Sequence, residues 1–278
     1  MARMIIAVMK PGETEVDLDA VIALAHAAGA AIMAVYGRGF SSSEAKDDGS
    51  PITEADLAAH HIIVDGLNAL TPGIPVISEE SPVPPYAERQ HWPQHWLVDP
   101  LDGTREFIKR NGEFTVNIAL IRHGKPVLGV VHAPALGQTY AGTAGGQALL
   151  LEAEWRQVIT VRKLPARPRY FISRHHREIQ LSAFLARGAP HEGVAMGSSL
   201  KFCRIAAGEA DCYPRFGPIN EWDTAAGQCV LEAAGGAVLA LPSFTPMHYN
   251  ANENLELPDF FAVGDTSANW QAIFSGGR

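Results

Sequence analysis

The stretch H-W-L-V-D-P-L-D-G-T-R-E-F, residues 95–107, decides how this chain is to be read. Its apolar run, Trp96-Leu97-Val98, has strand character and leads straight into two carboxylates three positions apart, Asp99 and Asp102, with Gly103 and Thr104 behind them. Asp, Pro and Gly build tight turns, so D-P-L-D-G has one reading as the turn that ends a strand. Charge supplies the other reading: two acids held this close repel unless something positive lies between them.

The 278 residues are 47% hydrophobic and carry 22 basic and 30 acidic side chains, a formal charge of −8. Such a chain can bury a large core and has the length of two domains, since single domains run to about 100–200 residues. With no basic run, the acidic balance argues against nucleic acid or an anionic membrane as partner, and a phosphorylated ligand would need locally concentrated cations or metal ions. Cys203, Cys212 and Cys229 are odd in number, lack C-x-x-C spacing and sit in apolar stretches. That argues against a disulfide framework or structural zinc and fits a reducing cytosol. The apolar run before Lys10 and Pro11 is too short for a signal peptide or a membrane span, so a cytoplasmic chain without a transmembrane segment is expected. Nothing in the pattern specifies an oligomeric state.

Helical spacing of Val21, Leu24, Ala25, Ala28 and Ile32 predicts a long helix over about 16–36, followed by a Gly- and Ser-rich mobile loop at 37–51 and a second helix over about 53–70. Strands are expected at 75–78, 95–98, 114–124 and 125–134, the last two joined by a hairpin at Gly124-Lys125. After Gly-rich strand and loop material at 140–165, the pattern becomes a strand at 170–173, a helix over 197–210, a strand over 210–216 and a helix over 223–236 stopped by Gly235-Gly236. A domain boundary is placed near residue 150, dividing a metal-binding α+β part, 1–150, from an α/β substrate-recognition part, 151–278.

Further acids stand at the edges of these elements: Glu79-Glu80 after the 75–78 strand, Asp56 near the start of the second helix, and Asp223 at the start of a late helix. Each has a plain explanation. Thr53 and Asp56 fit a T-x-x-D capping box, Asp223 fits an N-cap, and Glu79-Glu80 fits solvated charge. Taken together they lie where α/β architectures gather ligands. Magnesium prefers oxygen ligands, and a pair of such ions about 3.5–4 Å apart can clamp a phosphoryl group between attacking and leaving oxygens. An EF-hand loop fails here because Leu101 and Gly103 fall where ligands are needed. A covalent-aspartate D-x-D-G-T phosphatase fails because one extra residue separates the acids, and no P-loop sequence is present.

The blocks P-I-T-E-A-D (51–56), E-E-S (79–81), D-P-L-D-G-T (99–104) and E-W-D-T-A-A-G (221–227) resemble, in order, the signature of the lithium-sensitive, magnesium-dependent phosphatases of the inositol monophosphatase superfamily. The longer runs 99–121 and G-S-S-L-K-F-C (197–203), with Y-P-R-F-G-P (213–218), are similar to its bisphosphate nucleotidases of bacterial sulfur assimilation. The resemblance implies a layered α/β/α/β/α sandwich, with an antiparallel sheet in the first half and a mixed sheet in the second.

It also implies two Mg2+ ions, with Glu79, Asp99 and the Leu101 carbonyl holding one and Asp99, Asp102 and Asp223 the other, and a third ion reached through water from Glu79. Thr104 and Asp56 would pair as the base that draws a proton from the attacking water. The Gly103 and Thr104 amides would face the phosphate, and Glu79, Leu101, Asp102 and Asp223 would border the substrate as well. Ser198, Lys201, Arg215 and His176 would meet a nucleotide. The implied reaction removes the 3'-phosphate from adenosine 3',5'-bisphosphate, and from its sulfated form. An inositol or sugar monophosphatase with the same metals, or a catalytically silent cation-binding regulator, remain the other readings. The pairs His60-His61 and His175-His176 are not expected to bind metal, because adjacent side chains point apart.

Overall fold

Apolar residues on the central strands alternate between two cores, and this alternation sets the layers. The computed structural model describes residues 16–38, 51–153, 155–174, 181, 185 and 190–275. In the first sheet, β1 (Val76–Ser78), β2 (Gln94–Asp102), β3 (Thr115–Arg122), β4 (Lys125–Ala133), β5 (Gln138–Thr143), β6 (Ala148–Glu152) and β7 (Trp155–Ile159) lie side by side in chain order. Along β2 and β3, Trp96, Val98, Val116, Ile118 and Leu120 face one core, while Leu97, Ala119 and Ile121 face the other. β3 is buried along its whole length, so F-T-V-N-I-A-L-I reads as a near-continuous apolar run.

The first core is closed by α1 (Leu18–Arg38) and α2 (Pro51–Leu70), packed against each other and against that sheet. α1 is long and apolar enough to cross a bilayer, but Leu18, Val21, Ile22, Ala25, Ala28 and Ile32 are buried in the core it shares with α2 and the strands, as befits a core helix. The short α3 (Tyr86–Arg89) precedes β2, and α4 (Thr104–Lys109) follows it directly. Beyond the sheet, α5 (Leu200–Ala206) and α6 (Ala225–Ala233) fill the second core. α6 comes so close to β4 that a Cβ on Gly129 would stand 2.5 Å from Ala226 O.

The second sheet is built from β8 (Arg169–Ser173), β9 (Glu192–Met196), β10 (Cys212–Arg215), β11 (Ala237–Ala240), β12 (Thr245–Pro246) and β13 (Phe260–Val263), in the order β12-β11-β13-β10-β8-β9. Its strands alternate likewise. Tyr213, Phe260 and Ala262 face the helices, and Cys212, Phe261 and Val263 face the outer α7 (Trp270–Ser275). The layers are therefore α/β/α/β/α, as the family resemblance implies.

Details depart from expectation. β1 pairs with β2 in parallel, so the first sheet is antiparallel in all pairs but one, while β10-β8 and β8-β9 are the parallel pairs of the mixed second sheet. Residue 150 falls inside β6, and the first sheet runs on to Ile159. The change of sheet therefore comes between Ile159 and Arg169. The segment 140–165, expected as loose strand and loop, completes three strands. Residues 1–11 lie outside the described residues, as does the expected loop at 37–51 apart from its ends, which belong to α1 and α2.

Candidate active site

β2 does not end at Val98. It runs through Asp102, with a register shift: Asp99 pairs with Asn117 and Asp102 with Thr115, so three steps on β2 match two on β3. The extra residue is a β-bulge. Side chains at i and i+3 of a regular strand point to opposite faces, and one inserted residue restores them to the same side. D-P-L-D is thus a bulge rather than a turn, and this lets both acids serve one site. Gly103 then turns the chain into α4 at φ +95°, where a Cβ would lie 3.0 Å from Glu113 O.

Asp99 is buried at 1% exposure, its Oδ1 accepting the Leu101 N–H at 3.0 Å. Its Oδ2 has no hydrogen-bond partner among the described residues. One oxygen each from Glu79, Asp99 and Asp223 lies within 4.8 Å of the others. Glu79 reaches the cluster because its N–H donates to Val98 O, extending the parallel ladder one step past β1. Leu101 buries its side chain in the α1/α2 core, so only its backbone can serve the site. Asp102, the fourth expected ligand, stands beside the trio, with its Oδ2 accepting the Ser199 N–H at 2.5 Å and the Asn117 amide at 3.5 Å.

Asp223 ends a single 3-10 turn, Glu221–Asp223, where its carboxylate accepts the Asn220 N–H in a capping box. The N-cap of α6 is Thr224, so the plain capping explanation for Asp223 fails at that helix. Thr53 lies within α2 rather than before it, so it does not occupy the N-cap position expected of it in the T-x-x-D box with Asp56. Asp56 is buried, with its Oδ1 unpartnered among the described residues and the Glu80 carboxyl close beside it. α2 packs on α4, which begins at Thr104.

Burial together with neighbouring acids pushes these carboxylates upward. Asp56 rises to about 8 through burial, then Glu80 and Glu79. Asp223 rises to about 7 through burial, then Asp102 and Glu79, and Asp99 stands well above the usual range for the same kind of reason. Asp102 also rises through burial, opposed by Lys201 and the Ser199 amide. Groups raised in the fold bind more protons than the unfolded chain does, so they favour folding at low pH and lose that contribution as pH rises. In chelator, the melting temperature should fall from about pH 4 to about pH 8, and added Mg2+ should reverse the fall. A flat profile in thermal denaturation would show that the cluster is not strained without a cation.

Beside the acids opens a cleft of about 240 Å³, whose lining includes Asp102, Gly103, Thr104, Ser198, Lys201, Arg215 and Asp223. Lys201 is buried, its Nζ donating to Ser198 O at 2.5 Å and lying 4.8 Å from the Tyr213 ring centre. Burial holds its pKa down at about 8. Arg215 is buried too, and one of its N–H groups donates to Pro218 O. Ser198 sits at φ +47° and accepts the Leu200 N–H through Oγ while bordering the cleft, but the N-cap of α5 is Ser199, so the plain capping explanation does not fall to Ser198. His176 lies outside the described residues.

Two basic residues of the cleft escaped sequence reasoning, Arg105 and Arg174. Arg174 forms a two-pronged pair with Glu113, which also accepts the Gly197 N–H at 2.8 Å. The available signal was their position, immediately after D-P-L-D-G-T and immediately after the 170–173 strand.

Fold and site together define a class: layered α/β proteins whose carboxylate cluster, beside a cleft with buried cations, suits a hard divalent ion. The sequence model of the inositol monophosphatase family matches residues 13–252, and the chain belongs to that family. The 3'(2'),5'-bisphosphate nucleotidase CysQ of Escherichia coli O6:H1 is 53% identical over 244 residues, 87% of this chain and 98% of that relative. The protein of the same name from Haemophilus influenzae is 39% identical, over 83% of this chain and 87% of its own. Among solved structures, CysQ from Bacteroides thetaiotaomicron matches with a TM-score of 0.79 at 38% identity, over 89% of this chain and 96% of that one. An inositol monophosphatase from Zymomonas mobilis, 21% identical over 94% of this chain and 96% of its own, shares the fold with a TM-score of 0.76.

Proposed function

We propose that this protein is a magnesium-dependent 3'(2'),5'-bisphosphate nucleotidase that hydrolyses adenosine 3',5'-bisphosphate to AMP and phosphate, acts also on its sulfated form, and works in the cytoplasm in sulfur assimilation. The observation that carries this reading is the cleft, in which an acidic cluster borders buried Lys201 and Arg215 in a chain of net charge −8. The 53% identity to a relative of that name supports the substrate, and three free, buried cysteines suit a reducing compartment.

The cluster offers only oxygen donors, and the buried Asp99 Oδ2 has no hydrogen-bond partner among the described residues, so these residues fit Mg2+. Glu79, Asp99 and the Leu101 carbonyl would hold one ion and Asp99, Asp102 and Asp223 a second, with Glu79 serving a third through water. Bound there, magnesium supplies polarisation of the phosphoryl oxygens and neutralises charge on the ester. Asp56, paired with Thr104, takes the proton from the water that attacks phosphorus in line, with no side-chain nucleophile involved. The Gly103 and Thr104 amides orient the phosphoryl oxygens. Lys201, Arg215 and Ser198 receive the second phosphate, with His176 as a fourth contact.

The test is a substrate panel with phosphate release as readout. Adenosine 3',5'-bisphosphate should turn over fastest, with activity lost in chelator and inhibited by lithium. Faster release from an inositol monophosphate would reassign the protein to the monophosphatases, and release from no phosphoester would leave a cation-binding protein without catalysis.

A further inference from the structure

His60 stands one helical turn beyond Asp56 on α2 and is buried at 8% exposure. It meets both ends of the S-E-E-S segment at 78–81. Its Nδ1 lies 2.9 Å from Ser78 Oγ and its Nε2 lies 3.4 Å from Ser81 Oγ. The segment is closed by a Ser81 N–H bond to Ser78 O at 3.1 Å, and tied to β2 by the Glu79 N–H bond to Val98 O at 3.1 Å.

Between the two serines stand acids with different tasks. Glu79 joins Asp99 and Asp223 in the acidic cluster, and Glu80 stands beside Asp56. Adjacent like charges repel, and backbone bonds alone do not fix where two long side chains point. An imidazole with one nitrogen near each hydroxyl resists both rotation and opening of the turn, and in either tautomer one nitrogen donates while the other accepts. Because residues at i and i+4 share a helix face, the element that carries Asp56 also anchors the turn that carries its partner.

We propose that His60 is a positioning residue: by bridging Ser78 and Ser81 it sets the S-E-E-S turn so that Glu79 faces the cation cluster while Glu80 faces Asp56. His60 is not itself a ligand in this arrangement. The inference rests on the metal reading of the cluster, and groups that orient ligands in this way are worth about 10–100-fold in metal affinity or activity.

The experiment titrates the full chain with Mn2+ in the absence of substrate, following free Mn2+ by electron paramagnetic resonance, and measures the Mg2+ dependence of phosphate release in parallel. His60→Ala should weaken Mn2+ binding about tenfold and raise the Mg2+ needed for half-maximal rate, with the nucleotide KM unchanged at saturating Mg2+. His60→Asn keeps an amide near the place of Nδ1, facing Ser78, and His60→Gln keeps one near the place of Nε2, facing Ser81. Each should recover part of the loss. Ser78→Ala added to His60→Ala should cost little more. Should His60→Ala fail to fold, Ser78→Ala with Ser81→Ala carries the same test. Wild-type Mn2+ binding and Mg2+ dependence in the variants would overturn the proposal, including where only the melting temperature falls. A wild-type chain that binds no Mn2+ would remove the metal reading and this inference with it, whereas equal binding by wild type and variant removes this inference alone.

Discussion

Asp99→Asn should lower phosphate release from adenosine 3',5'-bisphosphate by about 10³-fold or more, the scale of losing a central electrostatic group, and should raise the melting temperature of the chelator-treated protein above neutral pH. Both effects come from one atom. Asn keeps the shape of the side chain and can still accept the Leu101 N–H through Oδ1, so the bulge in β2 survives. What disappears is the charge on the buried carboxylate, whose Oδ2 has no protein partner among the described residues. Asp99 faces Glu79, Asp102, Asp223 and Asp56, and burial with that company holds its pKa well above the usual carboxylate range. Its contribution to folding is therefore largest when protonated and declines as pH rises, so the neutral amide gains on it at alkaline pH. Enzyme assays with Mg2+ and thermal denaturation in chelator measure the two halves separately. A variant that is inactive but no more stable in chelator would show that the cluster is not strained; one with wild-type activity would remove Asp99 from the site.

The five layers were expected from the family resemblance, and the alternation of the strands is the pattern that builds them. Leu97 and Ala119 answer one core, while Trp96, Val98 and Ile118 answer the other. The acids were legible as a set because Asp99, Asp102, Glu79 and Asp223 all stand at the edges of the elements expected from the sequence, although β2 runs on past Asp99. The shape of D-P-L-D was not. A bulge depends on which residues of the neighbouring strand are paired, and Asn117 and Thr115 lie more than a dozen positions away. The same limit hid Arg174, whose orientation is set by Glu113 across a separation of 61 residues, and Ser199, whose N–H reaches Asp102 across 97. Local rules also misassigned two caps. Thr53 and Asp223 suit the starts of helices by composition, but α2 extends past Thr53 and Asp223 closes a capping box with Asn220 in the preceding turn. Where tertiary pairing decides a conformation, residue type alone leaves several conformations equivalent.

Asp56→Asn should lower kcat by about 10²- to 10⁴-fold, the usual contribution of a general base, while leaving Mn2+ binding and the nucleotide KM close to wild type. This pattern separates a proton acceptor from a cation ligand: loss of a ligand is partly overcome by more Mg2+, and loss of the base is not. Asp56 is suited to the task by its surroundings. Burial, followed by Glu80 and Glu79, raises it to about 8 in the cation-free chain, and bound cations nearby stabilise its ionised form and draw the value down. In wild type the acid limb of the rate profile should therefore shift to lower pH as Mg2+ is increased, because the base is ionised over a wider range. In Asp56→Asn that limb should be lost. Thr104→Val should cause a loss of similar size, and the double variant should be little worse than either single one, because residues that act as one unit are not additive. Phosphate release retained in Asp56→Asn with saturating Mg2+ would place the proton acceptor elsewhere, and Glu80, beside Asp56, would be the next residue to replace.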